Sequence, residues 1–111
     1  MAYHLCSELV AVAWDDTEGC GNLEEIGEWT AALLLEDPVP RGARVRIQCQ
    51  EHQLKGFVET CTFSEPLGFF VGVRLDPDSR WSEKWFTPQH LLVLQSEPDP
   101  KVIPLRMASG Y

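Results

Sequence analysis

Three carboxylates, Glu24, Glu25 and Glu28, surround Gly27 in the stretch LEEIGEWT, just ahead of the apolar run AALLL. Acids at that spacing either hold a ligand or mark a turn. Asp15, Asp16 and Glu18 form a second acidic group, but no ordered ladder of oxygen donors follows them as in a calcium loop, so they read as a solvated turn and no metal site is expected. His4, His52 and His90 lack a neighbouring Ser, Cys or Asp in a nucleophile arrangement. Cys6 shares a face with His4 if that segment is extended, yet no third group orients the imidazole. The chain is therefore expected not to be an enzyme and to need no cofactor.

Other residues suggest binding rather than catalysis. Arg41, Arg44 and Arg46, with Lys55 across a predicted hairpin, are the densest positive charge; Arg44 and Arg46 share the outward face, and Glu59 on the next strand is expected to pair with one of these two. The arginines are the residues that would hold a phosphate ligand. Trp81 and Trp85 are four apart, which in a helical turn puts both on one face, and Phe86 follows. Such tryptophans either cap a barrel end or anchor a partner. Phe69 and Phe70 are consecutive, so on a strand one must face outward. Phe70 joins Trp81 and Trp85 as an expected partner contact. Cys6, Cys20, Cys49 and Cys61 include no CxxC pair and no zinc-ligand spacing, which predicts free thiols. Cys49 and Cys61 fall on adjacent predicted strands and can meet, though a reducing compartment keeps them as thiols.

The scaffold for these groups is one domain. A chain of 111 residues buries about two-thirds of its unfolded surface, enough for a single core without staples. No apolar run approaches the roughly 20 residues that span a bilayer. The opening MAYHLCSELVAVAW has no basic region and no unbroken apolar core, unlike a signal peptide, which points to the cytoplasm. Net charge is −8, and nine acids precede the first cation, Arg41. A field of that sign repels polyanions, so neither nucleic acid nor an anionic membrane is an expected partner.

Alternation of period two predicts strands at residues 7–14, 29–36, 43–49, 54–63 and 68–75. In ARVRIQC, for example, Ala43, Val45, Ile47 and Cys49 oppose Arg44, Arg46 and Gln48. Pro38, Pro40 and Gly42 break the chain into the third of these strands, and residues 50–53 make a hairpin loop. Gly56 and Gly72, inside strands, mark bulges or corners. Thr87 and Pro88 predict a short helical turn by capping, followed by the apolar residues 91–94. Strands joined by turns, without a long helix, predict an all-β antiparallel barrel. From Ser96 the chain turns proline-rich, and Val102, Ile103, Leu105 and Met107 are expected to pack on the barrel or on a neighbouring chain. The expected division is a barrel domain over 1–94 and a tail over 95–111.

The order of these features, from a first strand ending near a Trp, through LEEI, the PVPRG joint, VRI and LKGFV to GFFVGVRL, resembles the PilZ domain family over residues 7–94. The resemblance implies a six-stranded barrel that, in ligand-binding members, holds cyclic di-GMP with two motifs. One is Arg-x-x-x-Arg before the first strand, and the other is an Asp/Asn-x-Ser-x-x-Gly turn. Guanidinium groups fork onto guanine or phosphate oxygens, and small turn residues let the chain approach the bases. Here the segment MAYHLC has no Arg, and the turn aligns with Glu25, Ile26, Gly27, Glu28, Trp29 and Thr30. Carboxylates facing phosphates have the wrong sign.

The expected protein is thus a non-enzymatic, PilZ-like regulatory module that has lost ordinary cyclic di-GMP binding. It would act through protein contacts or self-association, using Trp81, Trp85, Phe70, Val102, Ile103 and Leu105. Two alternatives stand beside it. One is a divergent cyclic di-GMP receptor using Arg41, Arg44 and Arg46 with Glu25, Gly27 and Thr30, and the other is an SH3-like peptide-binding barrel.

Overall fold

Alternating apolar residues become paired strands along most of the chain. The computed structural model describes residues 3–93. Its strands are β1 (Tyr3–Trp14), β2 (Thr17–Gly27), β3 (Thr30–Leu35), β4 (Arg44–Cys49), β5 (His52–Ser64), β6 (Gly68–Leu75) and the two-residue β7 (Leu92–Val93). All pairings are antiparallel, and the ring runs β1-β2-β3-β6-β5-β4 and back to β1, closing a six-stranded barrel. β4 pairs with the C-terminal half of β1, and β7 covers the N-terminal end of the same edge through His4 and Leu5. Closure leaves no long open edge along β1.

The inward phase of each strand fills the interior. Leu23, Ile26, Leu33, Ile47, Cys49 and Leu54 are fully buried, with Val12, Val45, Val58, Val71 and Val73 beside them. Each large aliphatic group withdrawn from water contributes roughly 1.5–3 kcal/mol. Short turns link the strands, with Asp15 (φ 50°) between β1 and β2 and Gln50 (φ 59°) between β4 and β5 in the left-handed region. Because Cys49 pairs with His52, the second of these loops is two residues, shorter than the four predicted.

β2 is the largest departure from the sequence reading, which placed a turn over its acidic end. Glycines and carboxylates are poor strand formers, yet β2 is held on one side by β1 and on the other by β3. Gly21 is required there, since a Cβ would stand 2.1 Å from a methyl of Leu35 and 2.9 Å from the Leu34 carbonyl oxygen. Glu24 is the extra residue of a bulge against β3, between the pairs Leu23–Leu33 and Glu25–Ala32. Glu59 is a second bulge residue, between the pairs Val58–Val73 and Thr60–Gly72. Nearby, a Cβ on Gly56 would meet the Arg74 carbonyl oxygen at 2.1 Å.

The helical turn lies at Pro77–Ser79, a single 3-10 turn, and not at Thr87 and Pro88. Asp76 is extended, Pro77 fixes the next φ, and the Ser79 amide donates to the Asp76 carbonyl at 2.8 Å. The Ser79 hydroxyl in turn accepts the Lys55 amide at 2.9 Å. Around Pro88 the chain is irregular, and the Thr87 carbonyl accepts the Gln50 side-chain amide at 2.9 Å. No described helix is long and apolar enough to cross a membrane. The predicted tail contacts Val102, Ile103 and Leu105 lie outside the described residues.

Candidate functional site

The acidic stretch of the sequence proves to be a bracket. Leu23 and Ile26 point into the core, while Glu25 faces outward between Leu5 of β1 and Ala32 of β3. Glu24 accepts the Asn22 side-chain amide at 2.5 Å. Gly27 pairs with Tyr3, and the chain turns at Glu28 and Trp29 into Thr30. The carbonyls of that turn accept from the far end of the barrel: Leu75 donates to Trp29 at 2.8 Å and Trp81 to Glu28 at 3.2 Å. The Glu28 carboxylate pairs with Arg80, whose guanidinium lies 4.8 Å from the Trp29 ring centroid. These groups serve each other.

Two of the three predicted arginines are also engaged within the chain. Arg44 forks onto Asp76, with Nη1 donating to Oδ1 at 3.0 Å and Nη2 to Oδ2. That hydrogen bond holds the Asp76 carboxyl below its usual range and raises Arg44. Arg41 donates Nε to the Glu59 carbonyl at 3.1 Å, and the Glu59 carboxylate takes Arg74 at 3.2 Å. Glu59 therefore pairs across β5 and β6, instead of with Arg44 or Arg46 as the sequence suggested. Arg46 faces Lys55 across β4 and β5. Thr30, Arg74, Phe57 and Arg44 follow one another through successive strand pairings. Three interstrand steps, about 14 Å, thus separate Arg44 from the Thr30 turn, so the two halves of the postulated nucleotide site do not converge.

Behind the bracket, an open cleft of about 530 Å³ is lined by His4, Glu28, Arg80, Trp81, Ser82 and Glu83. His4 is buried, edge-on to Trp81 at 5.3 Å, with Nε2 3.9 Å from Glu83. Its Nδ1 has no hydrogen-bond partner among the described residues. Further along the same face of β1, Glu8 is buried and accepts the Gln89 amide at 2.7 Å and the Gln50 side-chain amide at 3.1 Å. Burial, with the nearby Glu24, Glu8 and Glu25 charges, pushes the Cys6 thiol up to about 11. Burial and Glu8 push Cys49 to about 12. Both thiols therefore stay protonated at neutral pH, which makes them poor nucleophiles. All four cysteines are free, and Cys61 pairs with Val71 far along β5 from Cys49. Among the described residues, no three His, Cys, Asp or Glu side chains are placed to hold a metal.

The two tryptophans separate. Trp81 turns inward, 3% exposed, and donates Nε1 to the Phe86 carbonyl at 3.0 Å. Trp85 is 37% exposed and packs edge-on to Phe86 and His52. Residues 82–85 form one turn closed by the Trp85 amide on Ser82, so helical spacing does not apply and no shared face results.

Comparison with family models, curated proteins and solved structures finds no match. Phe69 packs toward the core and against Phe63, while Phe70 sits on the outward phase. Leu9, Asn22, Leu34, Phe70 and Thr62 are consecutive cross-strand partners on that phase. Leu9 is 79% exposed, and Leu67 and Phe63 at the β5–β6 hairpin tip are 57% and 60% exposed. Sequence reasoning found Phe70 and missed Leu9 and Leu34, which were legible in the same way. Leu9 falls on the outward phase between Ser7 and Ala11, and in the all-apolar run AALLL one phase must face out.

Proposed function

We propose that this chain is a non-enzymatic regulatory module of the PilZ-like kind, working in the cytoplasm through contact with another protein. What carries the reading is the outward apolar band of Leu9, Leu34 and Phe70, continued by Leu67 at the β5–β6 hairpin tip. Contiguous apolar surface on a small barrel is characteristic of interaction sites. Support also comes from the closed six-stranded barrel, which is the architecture the resemblance implies. The Glu28–Arg80 bracket stands where the family has its ligand turn, and Arg41 and Arg44 are bonded within the chain. The contact surface thus centres on Phe70 and not on Trp81, which is core.

Two measurements test this reading. A photo-crosslinking residue at position 70, in the native cell, is expected to capture a discrete second protein that the same residue at position 46 does not. Crosslinks equal at both positions, or absent, would overturn the contact role. Titration calorimetry with cyclic di-GMP at low salt, where an anionic ligand has its best chance, is expected to give no heat. Micromolar binding would restore the divergent receptor.

A further inference from the structure

The apolar band contains a groove whose chemistry selects its occupant. Leu9, Leu34 and Leu67 line a hollow of about 290 Å³, with Asn22, Cys20 and Glu36 among its other walls. The wall that bears it, β1 to β3 with their turns and the following joint, carries carboxylates at Asp15, Asp16, Glu18, Glu24, Glu25, Glu36 and Asp37, beside the Arg80-paired Glu28, and no Lys or Arg before Arg41. Its complement is an apolar segment flanked by cations. A second copy of this wall meets it with carboxylate against carboxylate, and each chain carries a net −8.

One segment of the chain has the complementary chemistry. In KVIPLRM, residues 101–107, the apolar Val102, Ile103 and Leu105 lie between Lys101 and Arg106. These two are the last cations of the sequence, and no acid follows Asp99. Reach permits the contact within one chain. Val93 pairs with His4, and Leu9 lies five residues further along β1, about 17 Å away at strand rise. The eight residues 94–101 extend to about 28 Å. Tethering at that length supplies an effective concentration of order millimolar, so even a weak contact is substantially occupied. Pro98, Pro100 and Pro104 restrict the free chain and so reduce the entropy lost on seating.

We propose that residues 101–107 seat in the groove of their own barrel. Their apolar side chains lie against Leu9, Leu34 and Leu67, and Lys101 and Arg106 face the carboxylates of the wall. The tail is then a built-in competitor that an external partner must displace. The competitor role rests on the reading of this face as a contact surface, but the two fail separately. A tail that does not seat leaves the face open to its partner, whereas a missing crosslink from position 70 removes the partner and not the seat.

The experiment uses the full chain. Cys20 is exposed at the groove, Cys6 and Cys49 are buried, and Cys61→Ser leaves Cys20 as the accessible thiol. With a nitroxide on Cys20, the amide signals of Val102, Ile103 and Leu105 are expected to lose more than half their intensity and to recover in Leu9→Asp, a change at an exposed position. Full intensity in the parent chain would overturn the proposal. Broadening that appears only when labelled and unlabelled copies are mixed would also overturn it, by placing the tail on a second copy. Alkylation of Cys20, without the nitroxide, is expected to speed up several-fold in Ile103→Asp/Leu105→Asp. Unchanged rates would count against the seat.

Discussion

The two walls of this barrel share one core and differ in what they do with charge. On the β4–β6 side Arg44 is bonded to Asp76, Arg74 to Glu59 and Arg41 to the Glu59 carbonyl, while Arg46 and Lys55 face each other across β4 and β5. On the β1–β3 side the outward carboxylate Glu25 stands between Leu5 and Ala32, with Leu9 and Leu34 further along the same face, and these strands contain no Lys or Arg. A neutralised cation has little left for an incoming anion. An unbalanced acidic wall draws cations from a distance, within the Debye length set by salt. The two walls thus differ in the sign of what they attract, and the apolar groove lies on the acidic one.

Inside, the comparison should vanish, and the largest effects test this. Leu33→Ala beneath the acidic wall and Ile47→Ala beneath the basic one both remove fully buried side chains. Each is expected to cost about 2–5 kcal/mol in urea unfolding, and a large asymmetry would mean the walls do not share one core. Next comes the seam, where Glu8→Ala strips the acceptor from the Gln89 amide. The expected loss is about 1–3 kcal/mol, with Glu8→Gln losing less because its carbonyl still accepts.

Alkali gives a third test. The folded state holds the Cys6 and Cys49 protons up to about 11 and 12, against an ordinary thiol value of 9.0. Stability is therefore undiminished below pH 9.0 and declines as pH rises toward those values, because the unfolded chain releases its protons first. Cys49→Val should flatten that decline in a pH series of melts. Asp76 behaves in the opposite sense. Its lowered value means that the Arg44 pair contributes above the ordinary carboxylate range and is lost as acid protonates Asp76, and Asp76→Asn should remove this small acid limb. At the bottom of the scale, Leu9→Ser should move stability by no more than about 0.5 kcal/mol in a chain already carrying Ile103→Asp/Leu105→Asp, where no tail covers it. A substantial loss there would mean that Leu9 is held by the barrel itself.

Where one physical rule acted alone, the fold was legible. The alternation of exposed and buried side chains along β4 follows from its strict polar–apolar alternation, and the breaks at Pro38, Pro40 and Gly42 (φ 86°) follow from backbone limits. β2 was not legible, because Gly19, Gly21, Glu24 and Glu25 disfavour a strand and only pairing on both sides overrides that preference. Trp81 and Trp85 misled because their spacing has meaning only on a helix. The pairing of Glu59 misled because its bulge re-aims the side chain toward β6. For the candidate site, alternation exposed Phe70, but no local pattern could place Leu9, Leu34 and Leu67 around one hollow.

The bond between Glu8 and the Gln89 amide also has a place in time. The partners stand 81 positions apart. At cellular rates of synthesis, roughly 5–20 residues per second, the acid of β1 waits about 4–16 seconds for its donor. Over that interval β1 can pair with β2 and later with β4, but β7 and the Gln89 amide do not yet exist to cover His4, Cys6 and Glu8. Polar groups suit that waiting edge, because a nascent barrel held open on water there hides Val10, Val12 and Trp14 at the other end of the strand.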